Sequence, residues 1–256
     1  MLDQSTTKLI VALDVSTASE ASEIFTRLRS HAAKFKIGSQ LFTAAGPAIV
    51  REIISAGGEV FLDLKFHDIP STVAAAGCEA TRLGVSIFNL HASGGSEMMR
   101  RTADAVAETA TRESLPRPHL IAVTVLTSHN QESLNETGIA QSTALDDHVM
   151  RLAELARRAG LDGVVASVHE TARIKRELGA EFLVVAPGVR PASAAHGDQR
   201  RVATPAKAVR AGANYIVVGR AILDHADPAR AIAEINRELQ ETSRAMTPTT
   251  MSADAL

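Results

Sequence analysis

Tryptophan is absent from the 256-residue chain, and aromatic residues make up only 3 % of it. A core built around large rings is therefore excluded. The 45 % of hydrophobic residues must do the work as Val, Ile, Leu and Ala. That composition suits parallel strands covered on both faces, which read as continuous aliphatic runs. The single cysteine, Cys78, excludes an intramolecular disulfide framework and a cysteine-rich zinc site. It stands in an Ala-rich, helix-like stretch from Val73 to Leu83 and is expected to act as a small buried hydrophobe. No apolar run is long enough to span a bilayer. The opening residues MLDQSTTK lack a basic segment followed by an apolar one, so a soluble, cytoplasmic protein without a secretory signal is expected. Excess charge of either sign is also missing, with 27 Lys and Arg against 29 Asp and Glu. A net charge of −2 gives no global attraction to nucleic acid or to an anionic membrane. An anionic ligand would need a local site. The nine histidines form no H-E-x-x-H motif or close pair of a zinc centre. Ser93 lacks the G-x-S-x-G elbow of a serine nucleophile.

What is present is a rhythm. Short aliphatic runs recur at Leu9–Val15, Phe35–Ser39, Glu59–Lys65, Ser86–Ala92, His119–Leu126, Gly163–Val168, Glu181–Gly188 and Tyr215–Ala221. Each has strand length and is rich in branched side chains. Helical segments lie between them. Ala18–Ser30 follows Thr17, a candidate N-cap, with Glu20 three residues on. Pro47–Ala56 ends at Gly57-Gly58. Pro70 opens a helix that Gly84 closes. Leu145–Ala159 ends at Gly160, Pro205–Ala211 ends at Gly212, and the last helix runs from Asp227-Pro228 to about Arg244. Eight strands alternating with helices predict an α/β fold: a single-domain (β/α)₈ barrel over residues 1–244, with a disordered tail over 245–256. An open doubly wound sheet would want a G-x-G-x-x-G turn after the first strand. The chain has Asp14-Val15-Ser16 there. The polar stretch Arg190–Thr204 is longer than ordinary connections and reads as a functional lid.

In such barrels the chemistry sits at the C-terminal ends of the strands. The polar residues predicted there are Asp14, Lys36, Asp63, Lys65, Asp68, Thr124, Thr127, Pro187, Arg190, Gly219 and Arg220. The third strand carries the sharpest signal. Strand alternation puts Asp63 and Lys65 on one face and Leu62 and Leu64 on the other. Buried charges need partners, and Lys36 on the neighbouring strand is a natural one. The array would alternate Lys, Asp, Lys, Asp if Asp68 joins it. A second signal is Gly219-Arg220 before a short helix. Backbone N–H groups at a helix start bind phosphate, and Arg adds a permanent bidentate charge. The loop bearing Arg190 and Gln199 is near enough to close over that site. His67, beside Asp68, reads as a rim histidine held by hydrogen bonds rather than as a base. His91, in His91-Ala92-Ser93-Gly94-Gly95, reads as support for the fourth loop.

Taken together these motifs resemble the orotidine 5′-phosphate decarboxylase family. Asp63-Leu64-Lys65-Phe66-His67-Asp68-Ile69-Pro70 is similar to its D-x-K-x-x-D signature. The likeness extends from about Leu9 to Asp224. It takes in Ala12-Leu13-Asp14, Lys36-Ile37-Gly38, His91 to Gly95, Thr124 to Ser128, Ala186 to Pro191, Gly197 to Arg201 and Gly219-Arg220. The resemblance implies that Lys65 is the acid that protonates C6 of the pyrimidine as CO₂ leaves, and that Asp63 faces the substrate carboxylate. It implies that Lys36 holds the charged array and contacts the ribose, and that Asp14 binds a ribose hydroxyl. Asp68 would come from the second subunit of a homodimer, with Ile69 and Thr72 beside it. Thr127 and Pro187 would line the base pocket. Arg190, Gln199, Gly219 and Arg220 would hold the phosphate. No cofactor and no metal are implied, and no site for pyridoxal phosphate or thiamine diphosphate is evident. The substrate would be the nucleotide orotidine 5′-phosphate, in de novo pyrimidine biosynthesis. Magnesium-dependent sugar-phosphate aldolases and decarboxylases of the 3-hexulose-6-phosphate synthase type share D-x-K-x-x-D but carry an acid on the second strand. Here Lys36 stands in that place, and a cation opposes a metal. A catalytically silent barrel would be free to lose one of these buried charges, yet Lys36, Asp63, Lys65 and Asp68 are all present.

Overall fold

The structure, a computed structural model, describes residues 8–191 and 203–246. Gln199, most of the expected lid and residues 247–256 of the expected tail lie outside the described residues. Eight parallel strands close into a barrel in sequence order. They are β1 (Leu9–Ala12), β2 (Lys34–Gly38), β3 (Glu59–Phe66), β4 (Ile87–His91), β5 (His119–Val123), β6 (Gly163–Val165), β7 (Leu183–Ala186) and β8 (Tyr215–Val218). The ring closes where Ile10 of β1 stands against Val217 of β8. Around it run α1 (Ala18–Leu28), α2 (Ser39–Ala45), α3 (Pro47–Ser55), α4 (Pro70–Arg82), α5 (Gly95–Arg112) and α6 (Gln131–Glu136). They continue with α7 (Leu145–Arg158), α8 (Val168–Leu178), α9 (Pro205–Arg210), α10 (Arg220–Leu223) and α11 (Pro228–Met246).

Alternation along the strands separates two cores. Ile10, Ala12, Phe61, Ile87, Ile121, Val185 and Val217 fill the barrel interior. Their neighbours Val11, Leu62, Phe88, Leu90, Ala122, Val184 and Val218 point outward and pack under the helices. Each fully buried aliphatic side chain contributes about 1.5–3 kcal/mol, so this layer sustains the fold without tryptophan. Where β6 meets β7 the packing admits only glycine: a Cβ at Gly163 would lie 2.2 Å from the Leu183 carbonyl oxygen. No described helix is long and apolar enough to cross a membrane.

The barrel and the helices read from sequence are present, with shorter strands. The run Gly163–Val168 stops being strand at Val165 because Ser167 caps α8, its hydroxyl accepting from His169 N. Thr17 caps α1 as expected, accepting from Glu20 N at 3.2 Å. The helices α2, α5, α6 and α8 add to those read from the sequence. α2 and α5 follow Gly38 and Gly94, with no side-chain cap to announce them. Cys78 corrects an expectation. It is half-buried between α4 and α5, where its sulfur accepts from the Thr109 hydroxyl at 3.2 Å.

Candidate active site

A cavity of about 320 Å³ opens at the C-terminal ends of the strands. Its floor is the top of the interior core: Ala12, Phe61, Val123, Val165 and Val217. One wall carries charge. Lys36 Nζ donates to Asp14 Oδ1 at 2.9 Å and stands 3.4 Å from Asp63 Oδ2. Lys65 Nζ donates to Asp63 Oδ1 at 2.7 Å. The row therefore reads Asp14, Lys36, Asp63, Lys65 across β1 to β3. Burial is the largest influence on the Lys36 ammonium and pushes its pKa down. Asp63 and Asp14 together outweigh it and hold the group above the usual lysine value. Gly38 leaves room for the pair, since a Cβ there would lie 3.0 Å from Lys36 Nζ.

The strand that delivers Lys65 is not regular. The register of β3 against β4 shifts between Leu62 and Phe66, and Lys65 has a left-handed backbone, φ 52°. Simple alternation thus describes Asp63 but only approximates Lys65. What holds the bulge is Asn89, wholly buried on β4. Its Nδ2 donates to Asp63 Oδ1 at 2.7 Å, and its Oδ1 accepts from Lys65 N at 2.8 Å. Sequence reasoning gave Asn89 no role. The signal was there, because an amide inside the apolar run SIFNLHA must find partners.

The rest of the wall holds Thr127, Ser128, Pro187, Gly188, Arg190, Gly219 and Arg220, and it meets the charged row where Gly219 lies beside Asp14. Arg190 is fixed at the root of the long loop, its N–H donating to Ala203 O at 2.9 Å. Gly219 and Arg220 stand at the start of α10, whose first turn is closed by Ile222 N–H donating to Gly219 O at 2.8 Å. Of the residues singled out from sequence, Asp14, Lys36, Asp63, Lys65, Thr127, Pro187, Arg190, Gly219 and Arg220 all line this one cavity.

Three do not. Asp68, Ile69 and Thr72 are exposed on the rim at the start of α4. Asp68 turns back to accept from Ile69 N at 2.6 Å, and Ile69 is 63 % exposed. The expected array of Lys36, Asp63, Lys65 and Asp68 is therefore not formed within one chain, and Asp14 occupies its other end. Thr124 is also absent from the cavity, its hydroxyl donating to Val165 O on β6. His67 and His91 pair on the rim with ring centroids 5.4 Å apart. Burial first, then His67 and Lys65, push the His91 pKa down, so its neutral form is favoured.

The arrangement offers a cationic and hydrogen-bonding grip at one side and a fixed ammonium at the other. Both cavity carboxylates are already paired with lysines, a pattern that opposes a divalent cation. Residues 7–235 match the model of the orotidine 5′-phosphate decarboxylase / HUMPS family. The chain is 52 % identical over 237 residues to an orotidine 5′-phosphate decarboxylase of Geobacter sulfurreducens, covering 93 % of this chain and 98 % of that one. It is 50 % identical to the one from Moorella thermoacetica, covering 91 % and 92 %. The crystal structure of orotidine 5′-phosphate decarboxylase from Lactobacillus acidophilus is similar with a TM-score of 0.80 at 34 % identity, covering 91 % and 99 %.

Proposed function

The chain belongs to the orotidine 5′-phosphate decarboxylase / HUMPS family, and on that premise we propose that it converts orotidine 5′-phosphate to uridine 5′-phosphate and CO₂. The observation that carries the reading is the row Asp14, Lys36, Asp63, Lys65 facing a nucleotide-sized cavity. In the reaction the C6–carboxylate bond breaks and its electron pair stays on C6. CO₂ leaves, and the Lys65 ammonium gives a proton to C6. The lysine is left neutral and regains a proton from solvent. The ring delocalises the C6 electron pair poorly, so a preorganised cation in a dry site must stabilise it. An ammonium attracts that localised charge more strongly than the spread charge of the ground state, and this difference raises the rate.

Asp63 faces the departing carboxylate and holds Lys65 by their ion pair. Lys36, clamped between two acids, keeps the row aligned and reaches the ribose, with Asp14 on a ribose hydroxyl. Thr127 and Pro187 flank the base. Arg190, Gly219 and Arg220 take the phosphate, joined by Gln199. Binding energy gained at that remote phosphate closes the site and presses the base against Lys65. The exposed trio Asp68, Ile69 and Thr72 completes the neighbouring site in a cytoplasmic homodimer, which also explains an aliphatic side chain left in water. The reading includes no cofactor, no metal and no nucleic-acid partner.

The test is the absorbance change of orotidine 5′-phosphate with purified protein and excess EDTA. Wild type turns over, and Lys65→Ala loses on the order of 10⁴-fold in kcat while its melting temperature shows a folded chain. No conversion by folded wild type sinks the reading, and sugar phosphates with Mg²⁺ become the next substrates. The shared site has its own check. Mixing inactive Asp68→Ala and Lys65→Ala restores roughly a quarter of wild-type sites after random exchange in a two-fold dimer. Confirmed exchange with no recovery removes Asp68 from the partner's site.

A further inference from the structure

We infer that Asn89 is the positioning residue that fixes the Asp63–Lys65 pair for the reaction proposed above. Its one amide group makes two bonds in opposite directions. Nδ2 donates to Asp63 Oδ1 at 2.7 Å, the same oxygen that accepts Lys65 Nζ at 2.7 Å. Oδ1 accepts the Lys65 backbone N–H at 2.8 Å. The amide thereby ties the side chain of residue 63 to the main chain of residue 65 across the bulge. Lys65 sits there at φ 52°, a conformation that L side chains rarely adopt and that persists only when its surroundings enforce it. A backbone N–H at a bulge has lost its ladder partner, and the Asn89 carbonyl supplies one. Phe88 and Leu90 pack outward under the helices, so Asn89 points into the barrel, where it is fully buried.

The chemistry requires this double role. Asp63 has to remain beside Lys65 as the ammonium's charge is spent, and a carboxylate held only by that ammonium would follow it or turn away. A neutral amide donor holds it regardless of the charge on Lys65. Aspartate at position 89 would keep the acceptor for Lys65 N but put a second carboxylate against Asp63. The charged groups on this side of the barrel are Asp14 after β1, Lys36 on β2, and Asp63 and Lys65 on β3, with the titratable His91 and its neighbour His67 on the rim. From β5 the cavity receives the apolar Val123.

The inference rests on the decarboxylase reading, and the experiment separates the two. kcat and KM for orotidine 5′-phosphate are measured with EDTA for wild type, Asn89→Ala and Asn89→Asp, beside melting temperatures and a crystal structure of each variant. Asn89→Ala loses kcat by about 100-fold, the scale of a misplacement near 1 Å. Its KM stays within about threefold, because the phosphate and ribose grips are untouched. In Asn89→Asp the ratio of variant to wild-type kcat rises as pH falls from about 8 to about 5.5, since a shared proton restores the donor to Asp63. In the crystal structure of Asn89→Ala, residue 65 leaves the left-handed region or the Asp63–Lys65 pair opens. Folded variants with wild-type kcat at every pH overturn the inference, as does a lowered melting temperature with kcat unchanged. Wild type without turnover fails the decarboxylase reading instead, and the geometry of residue 65 in Asn89→Ala still decides whether Asn89 holds it.

Discussion

The same two strands carry a lysine–acid pair at each end of the barrel, and the two pairs are built for different purposes. At the N-terminal end Lys34 of β2 pairs with Glu59, its register partner on β3. Glu59 is about half exposed, and the Lys34 ammonium also lies 5.6 Å from the centre of the Tyr215 ring. One acid meets one base, and water reaches the pair only through Glu59 because Lys34 is buried, so the pair plugs the bottom of the barrel. Two residues on, Lys36 faces Asp14 and Asp63 together, and Asp63 in turn faces Lys65 and Asn89. Here the charges form a chain that ends in an ammonium directed at a cavity. Residue type alone does not distinguish the ends. The number of partners and the space beyond them do.

The comparison breaks most visibly if the lysines are removed. Lys36→Met eliminates turnover by several orders of magnitude, because Asp63 and Asp14 are left facing each other without their shared cation. Lys34→Met keeps kcat within about a factor of three and loses on the order of 1 kcal/mol, or ~2–4 °C in Tm. Equal losses of kcat in the two variants erase the distinction. Steady-state kinetics beside thermal melts measure both.

A smaller effect sharpens the account of Lys36. Its pKa is raised because Asp63 and Asp14 outweigh burial. A raised lysine stabilises the fold below its unfolded value, and that contribution disappears as pH climbs through the folded one. Asp63→Asn removes the acid with the larger Coulombic effect and leaves the burial, so the Lys36 pKa moves down and alkaline unfolding begins at lower pH. An NMR titration of the lysine ammonium groups with alkaline melts reads both; an unmoved Lys36 contradicts this balance. The smallest effect belongs to the other end. Glu59→Gln leaves kcat unchanged and costs less than ~1 kcal/mol, a difference that shrinks further in 1 M salt. A salt-independent loss would mean the lower pair is less solvated than its exposure indicates.

Most of this site was legible because strand-end position is a strong constraint. Asp14, Lys36, Asp63, Lys65, Thr127, Pro187, Arg190, Gly219 and Arg220 converge on one cavity although they come from six different strands or the loops after them. Barrel closure does that, and the aliphatic runs announce closure. Two things escaped. The bulge at Lys65 depends on a hydrogen bond from a different strand, which no local pattern encodes. Whether Asp68 joins the array of its own chain or of a second subunit is not legible, because sequence distance along a turn does not give direction; within this chain its side chain is taken up by Ile69 N. Lys34 was overlooked for a related reason, since the apolar run appeared to begin one residue later, at Phe35.

The left-handed backbone of Lys65 makes this a position where conformation and chemistry favour different residues. A side chain held there stores roughly 1–3 kcal/mol that glycine would release. Glycine there would also take the Lys65 partner from Asp63, so backbone ease and the ion pair weigh against each other at this one position.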